Sequence, residues 1–486
     1  MNIYFSDYFL VSAVDLDAYG AFNISLINDL PIFVDPFLLF NSQKPEYQAL
    51  HMEIIRYVRF LREVSSETGI RNGLLNAWYR FPEVKQNWLG YSKVGNSGSG
   101  LGESFGNALH ENLNTIFNDF GDEKITKGSH LEKLCLIKDG VGKDNISDFA
   151  TNLIKGFLCN YTQAFAEEYI DKDRIKKVPV THVEFNYQTR SWVTGFFNLP
   201  YIDGNYVLLT PKDILTKDEA WINKHDLIGD FDEVSASLTN EELRAQVNDY
   251  LLRRLPENPD KKEISAATVA TLRKFPELID HYIKFKEEHG DQAVALSGEK
   301  VKETEDFFIQ QVKVLVASLS SSNAFYEAEG NTYDEALRRV MFLKQVIENN
   351  DGYRVFYVKG KPVKRESDLQ LMFRLTWFAS PDDVNSEVNN GRGPVDYKIS
   401  RGSKDSTLVE FKLASNSKLK KNLENQVEVY KAANQTKKSI KVIMCFSDAE
   451  MLKTSSVLNT LGLSGKENVV VIDASPENKI SASNVL

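Results

Sequence analysis

The sequence predicts a multidomain α/β protein in three parts: an N-terminal mixed α/β region over 1–235, a mainly helical connector over 236–350 and a compact α/β sandwich over 351–486. Three observations lead there. The chain has 486 residues, more than one hydrophobic core ordinarily serves. The hydrophobic rhythm changes along it, from mixed to helical to strand-rich. The charge changes sign as well, with 37 basic against 52 acidic residues before position 351 and 21 against 16 from there on.

In the first region the runs Leu30–Val34, Val178–Phe185 and Tyr206–Leu209 read as strands. Helical patterns cover Ile54–Glu63 and Ile146–Tyr169. In the connector, Ser237-Leu238-Thr239-Asn240-Glu241 supplies a cap followed by acidic first-turn residues, and Pro256–Asp260 interrupts the pattern as a loop. Amphipathic stretches follow over Ile264–Glu288, Glu299–Ser318 and Tyr333–Asn349, and Asn350-Asp351-Gly352 ends the last one. In the third region a strand is expected over Tyr353–Val358, a helix over 366–378, a Gly/Asn-rich loop at 389–393, strands over 394–400 and 406–413, and a helix over 417–434. Strands over 440–446 and 468–473, with a helix between them, close the domain.

Apolar residues make up 42% and charged residues 26%, a mix that points to a globular, non-membrane protein. No run approaches eighteen apolar residues, so no membrane partner is expected. The first residues have neither a basic n-region nor an apolar h-region, so no secretory signal is expected. Cys135, Cys159 and Cys445 lie far apart in apolar stretches, which fits a reducing cytoplasm and neither a disulfide frame nor a zinc site. None of the seven histidines pairs with another at helical spacing, so a histidine metal site or triad is unsupported. A net charge of −10 speaks against the whole surface meeting a polyanion, and leaves that role to the basic C-terminal part.

The chemistry concentrates in two strands. Along Thr407–Leu413, Val409, Phe411 and Leu413 share one face, and Leu408, Glu410 and Lys412 share the other. A carboxylate and an ammonium on an otherwise apolar strand are costly unless they pair or serve a metal. In the preceding strand, Val395, Tyr397 and Ile399 take the core face and Asp396 the other, so a hairpin through 401–406 brings Asp396 toward Glu410. Two hard carboxylates suit Mg²⁺ (or Mn²⁺), which lowers the pKa of a bound water and stabilises charge on phosphorus. Lys412 is then placed to hold the attacking water or the scissile phosphate. In the next helix, Leu419, Leu423, Val427 and Tyr430 form an apolar stripe, and Gln426 lies on it one turn before Tyr430.

The ordered set of Asp396, Glu410-Phe411-Lys412 and Gln426-Val427-Glu428-Val429-Tyr430 resembles the PD-(D/E)XK nuclease superfamily, with a QxxxY motif like that of its RecB and lambda-exonuclease branch. The likeness covers about residues 353–475. It implies a restriction-endonuclease-like fold, metal binding by Asp396, Glu410 and the Phe411 carbonyl, a catalytic Lys412, and positioning roles for Gln426 and Tyr430. It also implies a further acid on the first core helix, Glu366 first and Asp368 second. One residue separates Pro394 from Asp396 where the motif has a Pro-Asp pair, a departure at a position where the superfamily varies greatly. Lys418, Lys420, Lys421, Arg392 and Lys398 are the candidate phosphate contacts, with DNA expected as substrate in preference to RNA. An acidic N-terminal region fused to such a domain resembles anti-phage or restriction-type effectors. In those the added region senses a phage-derived or partner-protein trigger, assembles a homo-oligomer or restrains the nuclease.

Plainer readings stand beside these. Glu410 and Lys412 read as a cross-strand salt bridge on a solvent face, Glu366 as a favourable first-turn acid, and Gln426 and Tyr430 as part of an ordinary amphipathic helix. Gly95–Gly102 resembles a phosphate cradle but lacks the Walker ending, so it reads first as a loop. Asp144 and Asp148 read as helix caps. The alternative function is a catalytically silent nucleic-acid-binding or regulatory protein with a nucleotide-sensing N-terminal region.

Overall fold

The structure is a computed structural model that describes residues 3–65, 72–90, 101–102, 105–107, 109–110, 113, 120–136, 143–202, 204–217, 219–238, 240–320, 330–349, 352–358, 361–377, 383–389, 394–401, 405–424 and 438–476. It is a mixed α/β protein, and the chain divides into two compact units with the boundary at Lys302/Glu303. The helical stretch read as one connector is therefore shared between the two units.

In the first unit the helix Pro45–Ser65 turns Ile54, Tyr57, Val58 and Leu61 into the core, a 3.6-residue stripe. Tyr57 meets Phe185 edge-on at 4.9 Å and Trp192 at 5.3 Å, which ties the helix to a long hairpin of Ile175–Asn186 with Ser191–Ile202. The second strand of that hairpin was not expected from the sequence. A two-stranded sheet pairs Ile32–Val34 with Leu215–Lys217, and the expected strand at 206–209 shrinks to Asn205–Tyr206. The expected helix over 146–169 is two helices, Lys143–Leu153 and Lys155–Tyr169, hinged at Ile154. Gly156, just past the hinge, explains the close packing there: a Cβ would stand 2.5 Å from the Val183 carbonyl oxygen, where the hairpin bulges between Val180 and Glu184. The helices Glu241–Leu252, Lys261–Lys274 and Glu277–Glu288 follow. Asn240 caps the first of them, and Asp260 and Glu263 form a capping box on the second.

In the second unit, elements are numbered α1 (Val312–Ser320), α2 (Thr332–Asn349), α3 (Glu366–Thr376), β1 (Asp383–Asn389), β2 (Pro394–Arg401), β3 (Asp405–Leu413), β4 (Ser439–Cys445), α4 (Asp448–Thr460) and β5 (Val469–Asp473). The five strands form one sheet in the order β5-β4-β3-β2-β1. β3 runs parallel to β4 and antiparallel to β2, and β4 runs parallel to β5. Residues 353–358, expected as a strand, are mainly a 3₁₀ turn over Gly352–Phe356, with Tyr357–Val358 alone extended.

Helices cover both faces of this sheet. On one, Phe411 packs at 4.5 Å between ring centroids against Phe373 of α3, and Thr407 shares a 2.9 Å hydrogen bond with Thr332 at the start of α2. Burying a side chain such as Phe411 contributes roughly 1.5–3 kcal/mol. On the other face Ile443 and Cys445 of β4 pack with Leu458 of α4 and with Leu419 and Leu423, which belong to a helical stretch at 419–424. α2 is fixed by a fully buried pair, Arg339 to Glu335 at 2.6 Å, and the same guanidinium lies 4.4 Å from the Trp377 ring centroid.

Candidate active site

β3 is the central strand of the sheet, and every residue from Thr407 to Leu413 is buried. Apolar residues on both faces are what a strand flanked by two strands and covered by two helical layers requires. Glu410 and Lys412 break that rule, at 6% and 7% exposure. They do not form a salt bridge on a solvent face; they form one inside the protein.

The geometry is compact. Lys412 Nζ lies 3.3 Å from Glu410 Oε1 and 3.5 Å from Glu366 Oε2. Glu366 is the first residue of α3, and its other oxygen accepts from the Leu413 amide at 3.3 Å and from Asn416 Nδ2 at 3.0 Å. The helix start is thereby pinned to the C-terminal end of β3. Of the two acids expected on α3, Glu366 meets Lys412. On β4, Lys441 stands opposite Glu410 in the register and is 5% exposed, its ammonium donating to the Leu423 carbonyl at 3.1 Å. Burial pushes the Glu410 carboxyl above its ordinary value, against the lowering pull of Lys412 and Lys441, while Glu366 adds to the rise.

Asp396 lies on β2. Lys398 faces Leu408 and Tyr397 faces Val409, so the next positions outward are 396 on one strand and 410 on the other. The side chain of Asp396 lies outside the described residues, as do Gln426, Tyr430 and Arg392. Of the Gly95–Gly102 loop, only Leu101 and Gly102 are described. Phe411 buries its side chain against α3. Lys418, Lys420 and Lys421 are exposed just beyond Asn416, and Lys398 is half-buried on β2. Among the described residues no group of three or more His, Cys, Asp or Glu side chains has the geometry to hold a metal ion.

Lys441 and Asn416 were not singled out in the sequence. A lysine amid Ile440, Val442, Ile443 and Met444 was the available signal, because a cation in a doubly buried parallel strand needs a stated partner. Elsewhere, Asp148 proves not to be a cap. It sits inside the helix Lys143–Leu153, half-buried, with its carboxyl pushed up to about 8 by burial and then by Asp144 and Glu83.

Comparisons with known proteins place family boundaries on this architecture. No curated protein and no solved structure matches the chain. Residues 11–223 match the family model described as a domain of unknown function, DUF8370. Residues 332–448 match a second, the domain of unknown function DUF8371, a span that runs from the start of α2 to the start of α4 and contains Glu366, Asp396, Glu410 and Lys412.

Proposed function

We propose that the second unit is a metal-dependent nuclease of the PD-(D/E)XK type, acting on DNA in preference to RNA. The observation that carries the reading is the convergence of Glu410, Lys412 and Glu366 toward one end of a buried central strand, with Asp396 on the neighbouring strand at the position that follows the Tyr397/Val409 pair, opposite Glu410. Three antiparallel strands followed by two parallel ones, with helices on both faces, support the reading.

The donor set fits a hard divalent cation. Glu410, Asp396 and the Phe411 carbonyl offer oxygen alone, which suits Mg²⁺ or Mn²⁺. A buried carboxyl whose proton affinity is already raised is one that a neighbouring cation would ionise. Such an ion, when bound, supplies Lewis-acid stabilisation of the phosphoryl oxygens and a more acidic water. The chain's own groups do the positioning. Lys412 holds its ammonium between two carboxylates, placed to orient a water or a non-bridging phosphate oxygen. Glu366, tied to the main chain at Leu413, fixes where that ammonium stands. Lys418, Lys420 and Lys421 offer phosphate contacts along the exit of β3.

The test incubates the full-length chain with supercoiled, linear and single-stranded DNA and with RNA, in Mg²⁺, Mn²⁺ or EDTA. Cleavage is expected with either metal and none in EDTA. Glu410→Gln and Lys412→Ala are each expected to reduce the rate by about a hundredfold or more. Cleavage at the wild-type rate in both variants overturns the site. DNA binding with no cleavage under any condition replaces the reading with that of a catalytically silent binding domain.

A further inference from the structure

The first 350 residues are acidic overall, yet one cleft in the first unit is lined by cations and by no carboxylate. It has a volume of about 860 Å³. Lys262 and Arg273 reach it from one face of the helix Lys261–Lys274, with Lys274 at that helix's end. Arg254 comes from the turn after Glu241–Leu252, and Lys224 opens a third helix, Lys224–Gly229. Among the described residues, no carboxylate lies within ion-pair distance of Arg254, Lys262 or Lys274. Asp249 pairs with Arg253 at 2.7 Å, and Asp260 and Glu263 cap their own helix.

Among the lining residues, Arg254, Lys262 and Lys274 are like charges around one concavity, an arrangement that favours the entry of an anion. The lining is not charged throughout. Val269 and Ala270 belong to it, and Tyr250 presents a ring over which the Arg254 guanidinium lies at 4.7 Å. Cations in the lining suit phosphates, and apolar side chains beside an aromatic ring suit a base. The volume lies in the range of pockets that take small molecules.

From this we infer that the cleft between the helices Glu241–Leu252 and Lys261–Lys274 is a binding site for a nucleoside polyphosphate. It lies between the two family matches, in residues 224–274, and shares no residue with the site around Glu410. The inference stands apart from the nuclease reading.

Calorimetric titration of the full-length chain decides it, with ATP, inorganic pyrophosphate and a short single-stranded oligonucleotide as probes. ATP is expected to bind, more tightly than pyrophosphate and more weakly as salt is raised. Arg254→Glu and Lys262→Glu, both at exposed positions, are expected to weaken ATP by about tenfold each with an unchanged circular dichroism spectrum. Glu410→Gln is expected to leave ATP binding as it is. The inference fails if ATP does not bind, if either charge reversal leaves its affinity unaltered, or if pyrophosphate binds as well as ATP. It fails too if the oligonucleotide binds more tightly than ATP and loses that affinity in the same variants, since the cleft is then a nucleic-acid track.

Discussion

Both units bury charged groups, and the way each satisfies them differs. In the first unit Glu287 receives the Lys127 amide at 2.7 Å, the Gly128 amide at 3.0 Å and His130 Nε2 at 2.8 Å. Lys133 there stands 2.6 Å from Asp280 and 3.4 Å from Glu123. In the second unit Lys412 meets its two carboxylates at 3.3 and 3.5 Å, and Lys412 is the partner that Glu410 meets among the described residues. The residue types are alike. A carboxylate that accepts short bonds from two backbone amides and an imidazole has most of its roughly four acceptor sites filled; one that meets a single ammonium at longer range keeps more of them open. The first arrangement fastens the helix Glu277–Glu288 to the segment 127–130, and the second is the one the proposed function draws on.

That contrast predicts opposite phenotypes, and the largest effect belongs to the first unit. Glu287→Ala strands two amides and a buried imidazole, and is expected to cost about 3–5 kcal/mol of stability, read as a lowered denaturant midpoint. Any cleavage per folded molecule is expected to remain at the wild-type level. A variant that keeps its midpoint breaks the comparison, because the short bonds of Glu287 would then carry no architecture.

A smaller effect is expected at Glu366, which mixes both roles: it bonds the main chain as Glu287 does, and touches Lys412 as Glu410 does. Glu366→Gln keeps the size and a carbonyl acceptor for the Leu413 amide but removes the charge beside Lys412. Turnover is expected to fall about 10–100-fold with KM little changed, and the thermal midpoint to stay close to wild type. Glu366→Asp is expected to restore part of the rate. Equal cleavage in Glu366→Gln and wild type would reduce Glu366 to a first-turn helix acid.

How much of this was legible in the sequence follows from the same physics. β2 and β3 were readable because their core faces alternate Tyr397, Ile399 and Val409, Phe411, a period that only strands satisfy. The proximity of Glu366 to Lys412 followed from resemblance; the residues alone gave a helix start and nothing about which strand end it would meet. β1 was missed because Asp383-Val384-Asn385-Ser386-Glu387-Val388-Asn389 is an edge strand, and edges are kept polar. Ser191–Ile202 was missed for another reason: Gly195, the adjacent Phe196 and Phe197, and Pro200 interrupt the alternation that marks a strand. The two-unit division was hidden because helical periodicity runs unbroken across Lys302, where the contacts change allegiance and the sequence does not.

Asp148 supplies the third kind of half-buried carboxyl and the smallest expected effect. Among the described residues, neither amides nor an ammonium answer it; burial, then Asp144 and Glu83, both of its own sign, push it up to about 8. A carboxyl raised in the folded state holds its proton there after the unfolded chain has released it. Its contribution to stability is therefore complete below the ordinary carboxylate range and is lost as pH rises to about 8. Asp148→Asn cannot ionise, so it is expected to lose less stability than wild type across that window. The gap at mildly alkaline pH is expected to be on the order of 1 kcal/mol, after allowance for screening by solvent. Thermal midpoints of both proteins from about pH 4.5 to about pH 8.5 check it. Parallel curves would mean that Asp148 ionises in the folded protein as readily as in the unfolded one, and that burial beside like-charged neighbours does not mark a strained carboxyl in this unit.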